Sequence, residues 1–492
     1  MISRASINAL SRQLSGYVLE PGDGRYEAAT RIDNGRIQRR PQSIIRPTAV
    51  EDVSLALTFA AANNLPFTVK GGGHSAAGYC LNDDGVVLDM VHLNAISFNR
   101  RKPSVTVQMG VRWKDVYEYM AATGTGLIPV GGGCPTVAPP GFMLGGGYSF
   151  VSRSYGMSID SLVGLRLVTP SGELRQVGVD STSTEDKDLF WACRGGGGGN
   201  FGIVVEMEML VHAPRTEKML VGQIRYPLAQ AEDVIGFYNE WVETLPDEMA
   251  VYGYCGQQPD VLDPAKRVKT IGLTPVFNGG CADGMDLLQS LLKLSPLVSE
   301  LRSMTLPDWE AYNGYSTVVG SRSAYMRSLV LPPRGMNNDA AQVFVKYMND
   351  APSSDSFAVW TLSGGAIGRT SADETAFVHR SARFIPEIKA IWDADKPGDA
   401  RKNVEWAHNF FEDLAKASKA TGAYVNYIDP LLHDWPRMYY GDNYKRLRAI
   451  KEKIDPDNVF RFQQSIGSPF NPPNPPLTDL SPLNRTQIEP GA

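Results

Sequence analysis

The sequence has few cysteines, no long apolar run and no block of basic residues. Its five cysteines lie far apart in 492 residues, which excludes the dense disulfide framework of small secreted domains. No stretch approaches the roughly 20 apolar residues that a transmembrane helix needs. The formal net charge is −5 and the lysines and arginines are dispersed. We therefore expect neither a nucleic acid nor a membrane as a partner.

The N-terminal residues also lack a targeting pattern. Residues 1–14 scatter Arg4 and Arg12 among small apolar residues without a continuous apolar segment, unlike a secretory signal peptide. This favours a cytoplasmic protein and leaves a secreted form open. The six histidines have no metal-ligand spacing, so no metal site is expected.

Glycine is abundant, with 48 residues, many of them bunched at 71–73, 131–147 and 195–202. Glycine allows the main chain to approach a ligand closely, at an entropic cost. Three bunches within one part of the chain therefore indicate a cofactor that is wrapped by main chain.

Two glycine patterns have more than one interpretation. Residues 197–202 match G-x-G-x-x-G, but a helical pattern precedes them and a strand follows, which is the reverse of a dinucleotide-binding fingerprint. The loop 71–75 follows a predicted strand. It is either a backbone nest for a pyrophosphate or a tight turn between strands.

Hydrophobic periodicity predicts an α+β fold with several parts. A lead-in at 1–40 precedes a mixed unit at 41–215, which includes a helix after a capping box at 48–51, a helix at 113–122 and strands at 66–69, 86–90 and 203–211. Glycine bunching stops at 216–420, and aromatic-bearing strands such as 357–362 indicate a second domain. A segment at 421–466 contains a further helix, and 467–492 is a tail with seven prolines.

Six ordered motifs resemble those of one protein family. They are VKGGGHS at 69–75, the glycine loop around Cys134, RSYGMSID at 153–160, DLFWACRGGGGGNFGI at 188–203, YVNY at 424–427 and YYGDNYKRL at 439–447. Together they resemble the berberine-bridge-enzyme-like group of the vanillyl-alcohol-oxidase type flavoproteins, from about Pro41 to Ile466.

The resemblance implies a two-part FAD-binding domain, to which the segment at 421–466 returns, and a substrate domain with a large antiparallel sheet covered by helices. It also implies that FAD is attached twice. The family's histidine, which bonds the 8α carbon of the flavin, falls on His74, and its cysteine, which bonds C6, falls on Cys134. Two links would hold the ring while the pocket stays open to bulky substrates.

Further site residues are carried over by the same motifs. The other residues expected to bind the cofactor are Lys70, Gly71, Gly72, Gly73, Ser75, Gly78, Val137, Gly141, Gly145, Gly146, Gly156, Asp160, Gly202, Ile203 and Asn443. The expected catalytic residues are tyrosines, with Tyr427 or Tyr148 as the base and Tyr424 beside them. An unperturbed tyrosine has a pKa of about 10, so a base role requires neighbours that lower it.

The resemblance predicts an FAD-dependent oxidase. The substrate would be an alcohol carbon of a sugar or a glycosylated or hydroxylated natural product, and O₂ would be reduced to H₂O₂. An oxidative cyclase, a dehydrogenase and a non-catalytic flavin-binding protein are the alternatives. Val137, three residues after the cysteine, is smaller than the leucine that goes with dehydrogenases, which favours O₂. Prolines 139 and 140 depart from the family's glycines. We also expect the protein to be a monomer or a homodimer.

Overall fold

The structure is a computed structural model and describes residues 3–313 and 319–468. The predicted proline-rich tail lies outside the described residues from 469 onward. No helix in these two described ranges is both long and apolar enough to cross a bilayer. The predicted α+β class is confirmed, and three β-sheets carry the fold.

The first sheet is small and mostly parallel. Its strands are β1 (Tyr17–Leu19), β2 (Ser43–Arg46), β3 (Phe67–Lys70) and β4 (Val86–Asp89), in the order β1-β2-β4-β3. Strand β4 is buried along its whole length, as expected for a strand with parallel neighbours on both sides. The helices of this part are α1 (Arg4–Ser11), α2 (Tyr26–Ala29) and α3 (Glu51–Ala62). Strand β3 ends directly before the loop at 71–75, which therefore lies at the carboxyl edge of the sheet.

The second sheet is antiparallel, with five strands in the order β5-β6-β9-β7-β8. They are β5 (Ile96–Asn99), β6 (Ser104–Gln108), β7 (Leu162–Val168), β8 (Leu174–Gly178) and β9 (Ile203–Leu210). The helices in this part are α4 (Trp113–Ala122), α5 (Pro139–Met143), α6 (Ser152–Tyr155) and α7 (Thr184–Ala192). The glycine bunch at 131–147 lies between α4 and α6 and includes α5, and the bunch at 195–202 connects α7 to β9.

The third sheet has seven antiparallel strands in the order β13-β10-β12-β11-β15-β16-β14. They are β10 (Met219–Pro227), β11 (Met249–Pro259), β12 (Arg267–Phe277), β13 (Val298–Met304), β14 (Arg322–Ser328), β15 (Phe357–Leu362) and β16 (Phe384–Asp393). Helices α8 (Ala231–Trp241), α9 (Cys281–Leu292), α10 (Leu306–Asn313), α11 (Asn338–Asn349) and α12 (Ala400–Ser418) belong to the same region.

The two faces of this large sheet differ in chemistry. One face presents buried apolar residues such as Trp360 and Phe384 to helices that include α8 and α11. The other face carries polar side chains, among them Gln223, Tyr254 and Glu387. Because side chains alternate across a strand, the same strands supply the core on one face and a polar wall on the other.

The last helices, α13 (Trp435–Tyr440) and α14 (Asn443–Ile454), connect the end of the described chain to the second glycine-rich part. The Tyr440 hydroxyl donates to the carbonyl of Gly196 at 3.0 Å. The Lys451 ammonium donates to the carbonyl of Asn200 at 2.7 Å, and the Asn200 side chain accepts from the amide of Ile466 at 2.9 Å. These bonds support the proposal that the segment at 421–466 returns to the cofactor domain.

The capping prediction at 48–51 is wrong. Helix α3 begins at Glu51, and the carboxylate that organises its start is Asp52. That carboxylate accepts from the amides of Thr48 and Ala49, at 3.0 and 3.2 Å, and from the amide of Ser15 at 2.8 Å. A buried acid that binds a second segment has replaced the local capping box.

Candidate active site

A cavity of about 1120 Å³ lies between the glycine-rich loops and the polar face of the seven-stranded sheet. Small-molecule sites usually have volumes of roughly 300–1,000 Å³. This cavity slightly exceeds that range and can therefore hold a large ligand.

His74 and Cys134 meet on one wall of this cavity. His74 follows strand β3, and Cys134 lies in the loop between α4 and α5. The Thr136 hydroxyl oxygen is 3.0 Å from His74 Nε2 and 3.7 Å from Cys134 Sγ. An Asp33 carboxylate oxygen lies 3.9 Å from His74 Nδ1. Thr136 thus bridges the two residues that the sequence motifs propose as attachment points.

Burial lowers the pKa of His74, and the Asp33 carboxylate opposes this effect only in part. The imidazole is therefore neutral at neutral pH, and a neutral imidazole has a free lone pair for bond formation.

Tyr427 and Glu387 both line the cavity, and their side chains interact with each other. Burial raises the pKa of Tyr427 well above its usual value, and the neighbouring Glu387 carboxylate raises it further. Burial also raises the pKa of Glu387, although Lys389 and the Tyr427 hydroxyl act in the opposite direction. Glu387 is consequently a stronger base than an exposed carboxylate, while Tyr427 keeps its proton.

The other two predicted tyrosines also line the cavity, and their hydroxyls are engaged by the main chain. The Tyr148 hydroxyl donates to the carbonyl of Leu362 in a short hydrogen bond. The Tyr424 hydroxyl accepts from the amide of Gly147 at 2.8 Å and from the Asn426 side chain at 2.9 Å. Burial raises the pKa of both tyrosines. These contacts fix the two rings in place.

Most of the predicted cofactor residues also reach the cavity wall. Those that line it are His74, Cys134, Gly71, Gly72, Gly73, Ser75, Val137, Gly141, Gly202 and Ile203. They come from three separate stretches of the chain, and the fold brings them together.

Three residues predicted to bind the cofactor through polar groups are not among the residues that line the cavity. The Lys70 ammonium donates to the carbonyl of Ala29 at 2.6 Å and pairs with Asp89. Asp160 forms an ion pair with Arg380 at 2.7 Å. Asn443 donates to the carbonyl of Ala372 at 2.6 Å. The protein itself therefore satisfies these polar groups.

Four predicted glycines also stand outside the cavity lining, and packing explains them. A Cβ at Gly145 would collide with the Asn426 side chain, and one at Gly156 would lie 2.6 Å from Asp160 Oδ2. A Cβ at Gly146 would lie 3.2 Å from the Tyr424 hydroxyl. At Gly78 a Cβ would contact Ile37. These glycines allow neighbouring chain segments to pack closely.

Comparison with known proteins accounts for this arrangement. Residues 41–178 match the FAD binding domain model, and residues 423–467 match the model described as berberine and berberine like. The chain is 30% identical to the uncharacterized FAD-linked oxidoreductase YgaK of Bacillus subtilis, over 92% of this chain and 97% of that protein. It belongs to the berberine-bridge-enzyme-like FAD-linked oxidoreductases.

Other members of this berberine-bridge-enzyme-like family are similar along the same length. (R)-6-Hydroxynicotine oxidase of Paenarthrobacter nicotinovorans is 29% identical, over 92% of this chain and 97% of that protein. The structure of BBE-like 1 from Physcomitrella patens superposes with a TM-score of 0.83 at 25% identity, covering 94% of this chain and 98% of that one. The match therefore includes the large sheet as well as the cofactor region.

The cavity fits the FAD of this berberine-bridge-enzyme-like family. Its glycine wall is made of main chain, so amide groups can face a pyrophosphate and a flat ring can lie against the backbone. A Cβ at Gly141 would have no heavy atom within 4 Å, and one at Gly198 would have only Leu144 within that distance, at 3.8 Å. Both glycines line the cavity, so the wall at these positions is open main chain that a flat ring or a phosphate can approach.

Sequence reasoning did not identify several residues of this family member's site. Asp33, Thr136, Glu387 and Lys389 all line the cavity. The alternation in FIPEIKAIWD at 384–393 was an available signal for Glu387 and Lys389, because the charged residues of this strand fall at alternate positions among apolar ones. Asp33 carried no comparable signal.

Proposed function

We propose that the chain is an FAD-dependent oxidase that acts on an alcohol carbon of a sugar or of a glycosylated or hydroxylated natural product. The electrons pass to O₂, which is reduced to H₂O₂. The observation that carries this proposal is the buried Glu387–Tyr427 pair, which lines the same cavity as His74 and Cys134.

His74 and Cys134 would hold FAD through two covalent bonds. The supporting geometry is their shared contact with Thr136, which places the imidazole and the thiol at one end of the cavity. The neutral state of the buried imidazole also supports attachment, since only the neutral ring is a nucleophile.

FAD, when bound, supplies the acceptor for the hydride that leaves the alcohol carbon. Glu387 is the base that we propose for the hydroxyl proton, because burial raises its pKa toward the working range of a general base. The Glu387 carboxylate would take the one hydroxyl proton of the substrate and become neutral. The Tyr427 hydroxyl, which interacts with this carboxylate, would keep its own proton and hold the carboxylate in position. The pair thus replaces the tyrosinate expected from the sequence.

Tyr148 and Tyr424 would shape the site rather than accept the proton. Each hydroxyl already bonds to the main chain, Tyr148 as a donor to Leu362 and Tyr424 as an acceptor from Gly147. Both rings line the cavity, so they limit how a substrate can lie against the base.

Val137 supports O₂ as the electron acceptor. It lines the cavity three residues after Cys134, and its carbonyl accepts from the amide of Trp113 at 3.0 Å. Its backbone is therefore fixed, and a β-branched side chain is stiff at χ1. The Val137 side chain would therefore keep one small, constant shape beside the cofactor.

An anaerobic screen tests the proposed reaction. The purified holoenzyme is mixed with sugars and hydroxylated polyketides in the absence of O₂, and flavin absorbance is recorded. We expect at least one alcohol to bleach the flavin, and admission of air to restore the colour with one H₂O₂ per substrate oxidised. A ring-closed product would instead indicate the cyclase, and bleaching that persists in air would indicate the dehydrogenase.

A further inference from the structure

One arginine on the polar face of the large sheet lines the cavity without an acidic partner in the part of the chain that the structure describes. Arg225, on β10, lines the cavity and is half-buried. Its guanidinium donates to the Gln258 side chain at 3.0 Å and to the carbonyl of Pro259 at 3.4 Å. Its Nε is buried without a hydrogen-bond partner, and no carboxylate lies within ion-pair distance of it in residues 3–313 and 319–468. A guanidinium without a counter-ion at a cavity wall is a donor group for an anion.

A second arginine approaches the same end of β11. Arg267 lines the cavity and donates to the carbonyl of Gln257 at 2.7 Å. Its nearest carboxylate is Asp355, at 4.0 Å, and that carboxylate is bound more closely by Arg322, at 2.9 Å. Asp355 thus pairs with Arg267 and Arg322, and Arg225 has no acidic partner among the described residues, so this end of the cavity has an excess of positive charge.

The distance between this cluster and the proposed base follows from the strand register. Arg225 pairs with Gly272 and Gly272 with Tyr254, and Tyr254 pairs with Val359, which pairs with Glu387. Arg225 and Glu387 therefore lie in one row of the sheet, four strand spacings apart. Their Cα atoms are then roughly 19 Å apart, from strand spacings of about 4.8 Å, which is a distance that an elongated substrate can span.

We propose that Arg225 and Arg267 bind an anionic group, a carboxylate or a phosphate, at the end of an elongated substrate whose alcohol lies at Glu387. This deepens the proposed function and rests on it. Guanidinium groups bind carboxylates and phosphates through charge-assisted, paired hydrogen bonds. The phosphates of the cofactor are not the intended partner, because both arginines lie on the large sheet and the main-chain nest lies in the glycine loops.

The test compares three disaccharide probes that differ in charge. Maltose is neutral, maltobionate carries a carboxylate and maltose 1-phosphate carries a phosphate. Calorimetry measures their binding to the purified holoenzyme, and flavin bleaching is recorded separately. We expect an anionic probe to bind at least tenfold more tightly than maltose, and added NaCl to weaken that binding.

Two variants locate the effect. Arg225→Gln should weaken binding of the anionic probe by about 10- to 100-fold, the range for losing hydrogen bonds to a charged group, and leave maltose binding unchanged. The control variant Arg302→Gln replaces an exposed arginine on the neighbouring strand β13. It should leave the binding of the anionic probe and of maltose unchanged. Unfolding temperatures of the two variants should match the wild type, so that a folding defect is not mistaken for lost binding.

The outcomes separate the two proposals. Tighter binding of maltobionate than of maltose 1-phosphate assigns a carboxylate, and the reverse assigns a phosphate. Equal binding of all three probes, or an Arg225→Gln variant that binds the anions normally, overturns the anion site. Anion binding that depends on Arg225, in a protein whose flavin no alcohol bleaches, keeps the anion site and overturns the proposed oxidation.

Discussion

The two walls of the cavity are built in different ways. The cofactor wall consists of loops whose glycines, including Gly72 and Gly198, present main chain to the cavity. The wall opposite is a sheet face on which Arg225, Tyr254 and Glu387 come from three strands that are far apart in sequence. Main-chain groups are alike at every position, so such a wall recognises groups that the ligands of the whole family share, such as a flat ring or a pyrophosphate. Side chains on a rigid sheet can change individually, so this wall can differ between relatives that share one cofactor.

The largest expected effect comes from removing both proposed attachment points of the flavin in the cofactor wall. The double variant with His74→Ala and Cys134→Ala should lose all covalently bound flavin, because both proposed links are gone. Each single variant should retain colour after acid precipitation through the remaining link. Absorbance of the precipitated protein measures this. Release of free FAD from the acid-treated wild type would refute double attachment.

The next effect concerns the sheet wall. Glu387→Gln should slow flavin reduction by about 10²- to 10⁴-fold, the usual contribution of a general base. Tyr427→Phe should slow it as well, by a smaller factor, and the flavin spectrum should stay normal in both. Stopped-flow absorbance measures the rate. The matched control is Glu300→Gln, which replaces an exposed acidic residue on β13 and should leave the rate of flavin reduction unchanged. A fast Glu387→Gln variant would return the base role to a tyrosine.

The pH dependence of the same step has a definite sign. Because burial raises the pKa of Glu387 above its usual value, the base is protonated and inactive at low pH and becomes active as the pH rises through that raised pKa. Flavin reduction in the wild type should therefore increase with pH over this range. The Glu387→Gln variant should lose this dependence. A wild-type rate that falls over the same range would contradict the assignment.

These positions also explain how much the sequence could predict. Helix α4 and strand β15 were predicted with the bounds that the structure has, because each follows a local periodicity. His74 and Cys134 stand in short glycine motifs that are readable without tertiary contacts. Glu387 and Arg225 gain their chemistry from residues of other elements, Tyr427 for Glu387 and Gln258 for Arg225, which no local pattern contains. The capping box failed for the same reason, since Asp52 binds the distant Ser15.

A smaller effect distinguishes two roles of the glycines in the cofactor wall. Some allow close packing against neighbouring chain, and others leave space for the cofactor. A Cβ at Gly72 would lie 2.8 Å from the amide nitrogen of Ala138, so Gly72→Ala should destabilise the apoprotein by about 1–3 kcal/mol, the usual cost of overpacking. Gly198→Ala should leave the unfolding temperature of the apoprotein unchanged and lower its FAD content, because its Cβ enters the cavity. Thermal unfolding and flavin-to-protein absorbance ratios measure the two effects. Equal destabilisation by both substitutions would contradict the distinction.

The smallest effect tests the acceptor. Val137→Leu should slow reoxidation of the flavin by O₂ about tenfold, or about 1.4 kcal/mol in the barrier. Reduction by the substrate should stay nearly unchanged, because the base lies on the other wall. Separate stopped-flow measurements of the two half-reactions check this. If the wild-type flavin, once reduced, survives for minutes in air-saturated buffer, the oxidase assignment is wrong.

The contact of Thr136 with both His74 and Cys134 has a mechanical consequence. These two residues are 60 positions apart in the sequence, and a doubly attached FAD would join them as a covalent cross-link. Closing a loop of that length restricts the unfolded chain in the way that a disulfide does, with a stabilisation of about 4 kcal/mol in the chain-entropy model. The flavin would then act as a staple between the first and second sheets, and a protein whose five cysteines form no disulfide framework would gain the stability of one through its cofactor.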